Sequence, residues 1–472
     1  MKYSKIVMKS ILAAAVAVAT VACQDEINSG SVMAPEIGGA DSYIFVTDAE
    51  GNTANISNVE LRGSASVSLF ANATAPQAVD AEVTFVYDPA VLEQYNRQSG
   101  NSFEALPESM ISIASAGQTV ISAGQVKSAP LQLSLSSDGS LDHSKSYAIP
   151  LRVTASAGTV ASNSGSRLIF VRDLTGLADC FKTVRDANGR EVPAAKIFST
   201  MEINDTNPLN NLCYTLKGSG KYLVDCLVLF SANINYNAET GRVYVFNNPN
   251  VQAILDGADK YLRPLQDRGM KVVLSILGNH DRASVANLSP AAAKEFAKEL
   301  KAICDAYNLD GIFWDDEYSA PMSPAPAGFV NPSIEAWSNL AWEFKQLCPD
   351  RWNIAYVYNL TRSAVSINGD QPGAFIDYAL HDYRQASDLS AAFPGMPKSN
   401  MGMSSQELNL GRWATDADLP NLRNNGYGSH MIFALDPNRS NVERQHQALK
   451  SIASILFDDE LAIDKNYYKK DW

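Results

Sequence analysis

The chain has 472 residues, too many for one ordinary hydrophobic core, so it is expected to fold as two or more domains. Hydrophobic residues make up 46% and charged residues 19%, the balance of a folded globular protein. A net charge of −13, with no cluster of lysine or arginine interleaved with aromatics, argues against nucleic acid or an anionic membrane surface as partner.

Residues 1–22 read as a secretion signal: Lys2, Lys5 and Lys9 precede the apolar run "ILAAAVAVATVAC", too short for a stable membrane anchor. The closing "TVAC" resembles a bacterial lipoprotein signal, although Thr20 stands where a leucine-like residue is usual. That resemblance implies that Cys23 is lipidated and becomes the first residue of the mature chain; plain secretion by a cut near Ala22 is the alternative. The acidic "CQDE" resembles surface-export signals of glycan-harvesting Gram-negative bacteria. The expected location is therefore the outer membrane or cell surface, with membrane contact only through the lipid anchor. Residues 23–41, rich in Gly, Ser and Pro, read as a flexible tether.

From 42 to 175 the texture is β. Stretches such as "SVSLFANAT", "AEVTFVYD", "LQLSLSS" and "YAIPLRVTAS" alternate apolar and small polar residues between Gly/Ser/Asn turns. This spacing predicts a β-sandwich with one short helix, "PAVLEQYNRQSG", and no catalytic residue; His143 is read as solvated. The five cysteines beyond Cys23 lack C-x-x-C spacing and read as buried thiols, one disulfide among them being the alternative, and no zinc site is expected.

From 180 to 472 eight apolar β-like runs recur: "KIFSTMEIN", "YLVDCLVLFSANINY", "MKVVLSIL", "LDGIFWDDE", "WNIAYVYN", "FIDYALHDY", "NMGMSSQ" and "HMIFAL". Helical patterns separate several of them. One opens with Ser289 as N-cap and Pro290 at the first helical position, with Phe296, Leu300 and Ile303 on one face. Another is "NPSIEAWSNLAWEFKQL", a capping residue followed by proline. Eight β units alternating with helices predict an α/β fold, a (β/α)₈ TIM barrel preceded by the smaller all-β sandwich, with chemistry at the C-terminal strand ends.

The stretch "NLDGIFWDDEYSA", residues 308–320, sets four carboxylates within eight positions, 310 to 317, around two aromatics and a glycine. A strand period of two puts Phe313, Asp315 and Glu317 on one face and Ile312, Trp314 and Asp316 on the other. Apolar Ile312 and Trp314 mark the outer, helix-covered face, so Asp315 and Glu317 face the barrel axis, their Cα atoms roughly 6.5 Å apart. Two inward carboxylates so close cannot both ionise cheaply, and one should hold a proton near neutral pH, as a general acid must. A metal site would need ligands from further strands, and no second Asp/His cluster offers them. A solvated loop tip accounts for Asp310 and Asp316 but not for the alternation. Glycosidase chemistry uses a carboxylate pair in this way.

The same stretch resembles the active-site strand of glycoside hydrolase family 18, whose pattern is D-G-x-D-x-D-x-E. Asp310, Gly311, Asp315 and Glu317 match, while Phe313 replaces one aspartate and removes a charge behind the catalytic pair. Residues 195–472 resemble the endo-β-N-acetylglucosaminidases of the H and F type more closely, through "FSANINYN", "YLRPLQDRGMKVVLSILGNH", "LDGIFWDDEY" and "YVYN" in order. The resemblance implies hydrolysis of the β-1,4 bond in the GlcNAc-GlcNAc core of high-mannose and hybrid N-linked glycans. It also implies substrate-assisted, retaining catalysis through an oxazolinium ion, an exception to the two-carboxylate rule. Glu317 would be the acid/base, Asp315 would hold the acetamido N–H, and Tyr383 would support the acetamido carbonyl. His381 stands where the family usually has Asn or Gln, and the resemblance implies a sugar contact there. Glu202, Asn204, Asn279, His280 and Asn359 close other strands and are expected either to touch sugar or to hold the rim by hydrogen bonds. Tyr318 is a candidate stacking platform, a packing role being the alternative. His430 and His446 are read as structural or solvated.

No phosphate loop, H-E-x-x-H or G-x-S-x-G element is present, and no metal or cofactor is expected. The chain is expected to act as a monomer on the N-linked glycans of glycoproteins. Two alternatives stay open: a chitinase-like hydrolase of linear GlcNAc polymers, and an inactive barrel that only binds glycan. The sandwich could space the barrel from the membrane or contact glycan.

Overall fold

The computed structural model describes residues 42–186, 188–412 and 417–472. The signal segment, Cys23 and the tether lie outside the described residues. The first domain is two sheets packed face to face. One orders its strands Thr159–Val160, Tyr43–Thr47, Ser64–Ala73, Leu131–Ser136 and Ile111–Ile113; the other orders Ile56–Leu61, Ser166–Asp173, Tyr147–Ala155, Ala81–Tyr87 and Gln118–Ile121. Alternation produces this core directly: Ile44, Leu69, Val83, Phe85, Leu133, Ile149 and Ile169 all point inward and are buried. The predicted helix forms at Pro89–Ser99, capped by the Asp88 carboxylate and stopped by Gly100 at φ 70°. His143 departs from expectation: it is half-buried, and its Nδ1 meets the Asp173 carbonyl at 2.9 Å, tying its turn to the last sandwich strand.

The second domain is a closed barrel of eight parallel strands, β1 (Lys196–Glu202), β2 (Cys226–Asn237), β3 (Lys271–Leu277), β4 (Gly311–Trp314), β5 (Trp352–Val357), β6 (Tyr378–His381), β7 (Met401–Gly402) and β8 (Ser429–Phe433). Closure is explicit, since β1 pairs in parallel with both β2 and β8. Phe198, Val228, Val273, Phe313, Ile354, Tyr378, Leu380 and Met431 fill the interior. On β4 the other parity faces the helices: Trp314 packs edge-on against Phe344 and its indole N–H donates to the buried Asn353 side chain. Gly311 is demanded by packing, because a Cβ there would lie 2.0 Å from the Trp352 carbonyl oxygen.

The helix Pro290–Tyr307 starts as predicted, with Ser289 accepting from the Ala292 amide. It buries Ala293, Phe296, Ala297, Leu300 and Cys304, while Ile303 sits half-buried at the edge of that face. The next helix, Ile334–Leu347, is capped by Ser333 rather than by Asn331, so Pro332 precedes the cap instead of occupying the first turn. All five described cysteines are buried free thiols.

The sandwich docks on the N-terminal ends of the barrel strands. Arg172 and Glu60, register partners on adjacent sandwich strands, reach Asp310 at 2.6 Å and Lys271 at 2.8 Å, and Lys271 lies 3.4 Å from Asp310. Tyr95, Asn58 and Ser146 add hydrogen bonds to Gln346, Pro349 and Asp350 of the barrel. Asp310 is thus no solvated loop tip: it is buried, and it also accepts the Val272 amide. Burial alone would raise its pKa; Lys271 and Arg172 outweigh that and hold the carboxyl well below the usual carboxylate range.

Candidate active site

At the opposite end of the barrel the strand termini surround a cavity of about 640 Å³. Asp315 and Glu317, which follow β4 directly, line it together. Asp315 is buried, and its Oδ1 has no hydrogen-bond partner among the described residues. Burial first, then the charges of Glu317, Asp316 and Asp382, push its carboxyl well above the usual range. Glu317 is half-exposed beside it and is also raised, by burial first and then by Asp382 and Asp316. The pair therefore resists carrying two negative charges, and its protons belong to the pair rather than to either residue. The main chain crowds here too: a Cβ at Gly278 would meet the Glu317 carbonyl at 2.2 Å, so glycine lets the ends of β3 and β4 close up.

Asp316 points away from the cavity, but it is buried rather than solvated. Its carboxylate accepts the Ser284 hydroxyl at 2.7 Å and the Leu360 amide at 3.2 Å, pinning the loops after β3 and β5 beside the pair.

Tyr383, Glu202, Tyr318 and Asn359 line the same cavity. Glu202 and Tyr318 also border an adjoining cavity of about 530 Å³, with Asn204, Asn279 and His280 on its wall. Tyr318 is 57% exposed, and His280 meets its ring edge-on at 5.7 Å. Both residues, and Asn359, have left-handed backbone, at φ 54°, 54° and 38°. Three such non-glycine residues around the two adjoining cavities mark a rim held by its surroundings. The Asn359 amide donates to the Asp316 carbonyl at 2.9 Å, Asn279 to Asn235 at 3.2 Å, and Asn204 accepts from Asn250 at 3.0 Å, so these amides brace the rim.

His381 is placed differently from expectation. Tyr378 and Leu380 fill the barrel interior while Ala379 faces the helices, so His381 turns outward. It is buried behind the wall, with Nε2 2.8 Å from the Ser387 carbonyl. The buried His430, its pKa pushed down to about 4 by burial, contacts the Met403 carbonyl, and the buried His446 packs on Tyr214; both are structural.

Seven further polar side chains on the cavity wall escaped sequence reading: Thr200, Tyr356, Tyr358, Asp382, Glu407, Asn409 and Arg412. For two of them a signal was available. In "YVYN" the period of two sends Tyr356 and Tyr358 the same way, and their rings stack at 5.8 Å and 9°. Glu407 is buried and accepts the Asn409 and Leu410 amides, shaping the loop that presents Leu410 and Arg412. Among the described residues, no group of three or more His, Cys, Asp or Glu side chains is arranged to hold a metal ion. No described sandwich residue lines either cavity. A buried carboxylate whose Oδ1 has no partner among the described residues, beneath a half-exposed one and walled by aromatics and amides, suits a neutral polyhydroxylated ligand with an N–H to donate.

Comparison relates the chain to three known proteins and to one family model. The chain is 57% identical over 279 residues to endo-beta-N-acetylglucosaminidase F1 of Elizabethkingia meningoseptica, covering 59% of this chain and 82% of that protein. An endo-beta-N-acetylglucosaminidase of a Flavobacterium species is 33% identical over 237 residues, 50% of this chain and 73% of that protein. The crystal structure of Bacteroides thetaiotamicron EndoBT-3987 with a Man5GlcNAc product superposes with a TM-score of 0.81 at 30% identity, over 90% of this chain and 97% of that one. The same protein in complex with a Man9GlcNAc2Asn substrate gives a TM-score of 0.76. A family model described as a "-like, N-terminal domain" matches residues 40–160.

Proposed function

The chain belongs to the endo-β-N-acetylglucosaminidases, and from that footing we propose that it hydrolyses the β-1,4 bond between the two core GlcNAc residues of N-linked glycans. The observation that carries this reading is the buried Asp315 Oδ1, without a hydrogen-bond partner among the described residues, beneath half-exposed Glu317. We take the mechanism to be substrate-assisted, as in glycoside hydrolase family 18. The acetamido oxygen of the sugar before the scissile bond attacks its own anomeric carbon as the glycosidic C–O bond breaks. Glu317 gives its proton to the leaving oxygen. Asp315 accepts the acetamido N–H, which favours its ionised form and so leaves the shared proton on Glu317. It also stabilises the positive charge of the oxazolinium ring. Tyr383 steadies the acetamido carbonyl. Water then attacks the same carbon, its proton goes to Glu317, and configuration is retained. No protein nucleophile is needed.

Glu202, Asn204, Asn279, His280, Tyr318 and Asn359 would meet the remaining sugars, with Tyr318 as the stacking surface. His381, turned behind the wall, would support the Ser387 loop instead. The glycans bound by EndoBT-3987 support high-mannose substrates. The signal-like N-terminus and Cys23 support a lipid-anchored protein at the cell surface, and the sandwich on the far end of the barrel suits a spacer; we take the chain to act as a monomer.

A high-mannose glycoprotein incubated with the protein should retain a single GlcNAc on asparagine, read as the residual mass. An unchanged glycoprotein alongside cleaved chito-oligosaccharides would favour the chitinase reading and sink this one.

A further inference from the structure

Among the carboxylates lining the cavity is Asp382, which the mechanism above leaves unused. Asp382 follows β6 directly, and its Oδ1 accepts the Tyr356 hydroxyl at 2.5 Å and the Tyr383 amide at 2.6 Å. Tyr356 comes from the neighbouring strand β5, its ring stacked on Phe313 at 6.0 Å and on Tyr358 at 5.8 Å. These contacts leave Asp382 little freedom, and both donors are neutral, so neither cancels its charge. The next inward residue below Asp315 on its own strand is Phe313, so β4 supplies no further carboxylate behind the pair. Asp382 brings one from two strands away.

The charges facing Glu317 are few. Its own segment supplies Asp315, Asp316 and Tyr318, and β1 supplies Glu202. Tyr356 and Tyr358 come from β5, Asp382 and Tyr383 from the end of β6. Beyond β7, Glu407 and Arg412 complete the wall, with the Arg412 guanidinium 5.8 Å from the centroid of the Tyr383 ring. Of the charges acting on Glu317, that of Asp382 ranks first after burial itself.

We propose that Asp382 is a positioning residue for the shared proton: held by Tyr356, it presents a fixed negative charge that keeps Asp315 and Glu317 from ionising together. Glu317 then still carries a proton when the leaving oxygen arrives. The inference rests on the hydrolase reading above. The sign follows from Coulomb repulsion: removing the charge makes Glu317 ionise more easily, so the acid is lost at lower pH.

The test is the pH dependence of kcat and KM for glycan release from a high-mannose glycoprotein by the wild-type protein, Asp382→Asn and Tyr356→Phe. Asparagine keeps an acceptor oxygen for both donors and removes only the charge. Its alkaline limb should move down by about one pH unit, with KM within about twofold of wild type. Tyr356→Phe keeps the charge but frees it from its anchor, so the alkaline limb should move down by less than in Asp382→Asn. An Asp382→Asn enzyme with the wild-type limb overturns the proposal. Should that variant not fold, a Tyr356→Phe enzyme with the wild-type limb overturns it equally. A wild-type protein that releases no glycan overturns the hydrolase reading, and this inference with it; wild-type release with an unmoved Asp382→Asn limb overturns this inference alone.

Discussion

Glu317→Gln is expected to lower kcat/KM for glycan release by about 10²–10⁴-fold while leaving glycan affinity within a few fold of wild type. Glutamine has nearly the shape of glutamate and keeps an acceptor oxygen, so the cavity wall and its packing survive. It has no acid proton for the leaving oxygen and cannot take one from water, so both chemical steps lose their catalyst. Affinity should persist because the wall that would meet sugar is spread over many residues, among them Tyr318, Tyr358 and Asn359. Calorimetric titration with a high-mannose glycopeptide and turnover by mass spectrometry separate the two effects. Near-wild-type turnover would remove Glu317 from the acid's role.

Arg172→Ala should cost about 3 kcal/mol of stability without altering turnover of the folded protein, because it strips one of two cations from a buried carboxylate. Asp310 is 3% exposed, and with Arg172 gone it keeps Lys271 at 3.4 Å as its remaining ion-pair partner. The site lies at the end of the barrel away from Glu317, so the loss should appear in the denaturation midpoint and not in kcat. The pH dependence has a definite sign. Asp310 is held below its unfolded value, so its contribution is complete above about pH 4 and fades as pH falls below that. In the variant this acid-side loss should shrink. A midpoint equal to wild type at neutral pH would mean that the docking face does not depend on this network.

The barrel was legible because each strand is an apolar run that ends in polar residues, and burial on both faces leaves little else for such a run to be. The orientation of β4 was legible for the same reason: Ile312 and Trp314 could only face helices, which sent Asp315 and Glu317 inward. What sequence reading lost depended on partners distant along the chain. Asp310 reads as exposed until Arg172, 138 residues earlier, is brought against it by domain docking. Asp316 reads the same way until Ser284 and Leu360 close over it. His381 was assigned to the sugar through the family's motif position, whereas counting inward from Tyr378 and Leu380 leads past it to Asp382. Glu407 and Arg412 lie in a segment with no periodicity to read, and only the closed barrel places them on the wall.

The most direct test of the account is the configuration of the sugar as it is first released. Proton NMR of a high-mannose glycopeptide during the first turnovers, before mutarotation, reports the new reducing-end anomer. Substrate-assisted displacement at Asp315 and Glu317 predicts that the β anomer appears first and the α anomer grows in later. Initial release of the α anomer would mean that water attacks directly with inversion, and would contradict the roles given to both carboxylates.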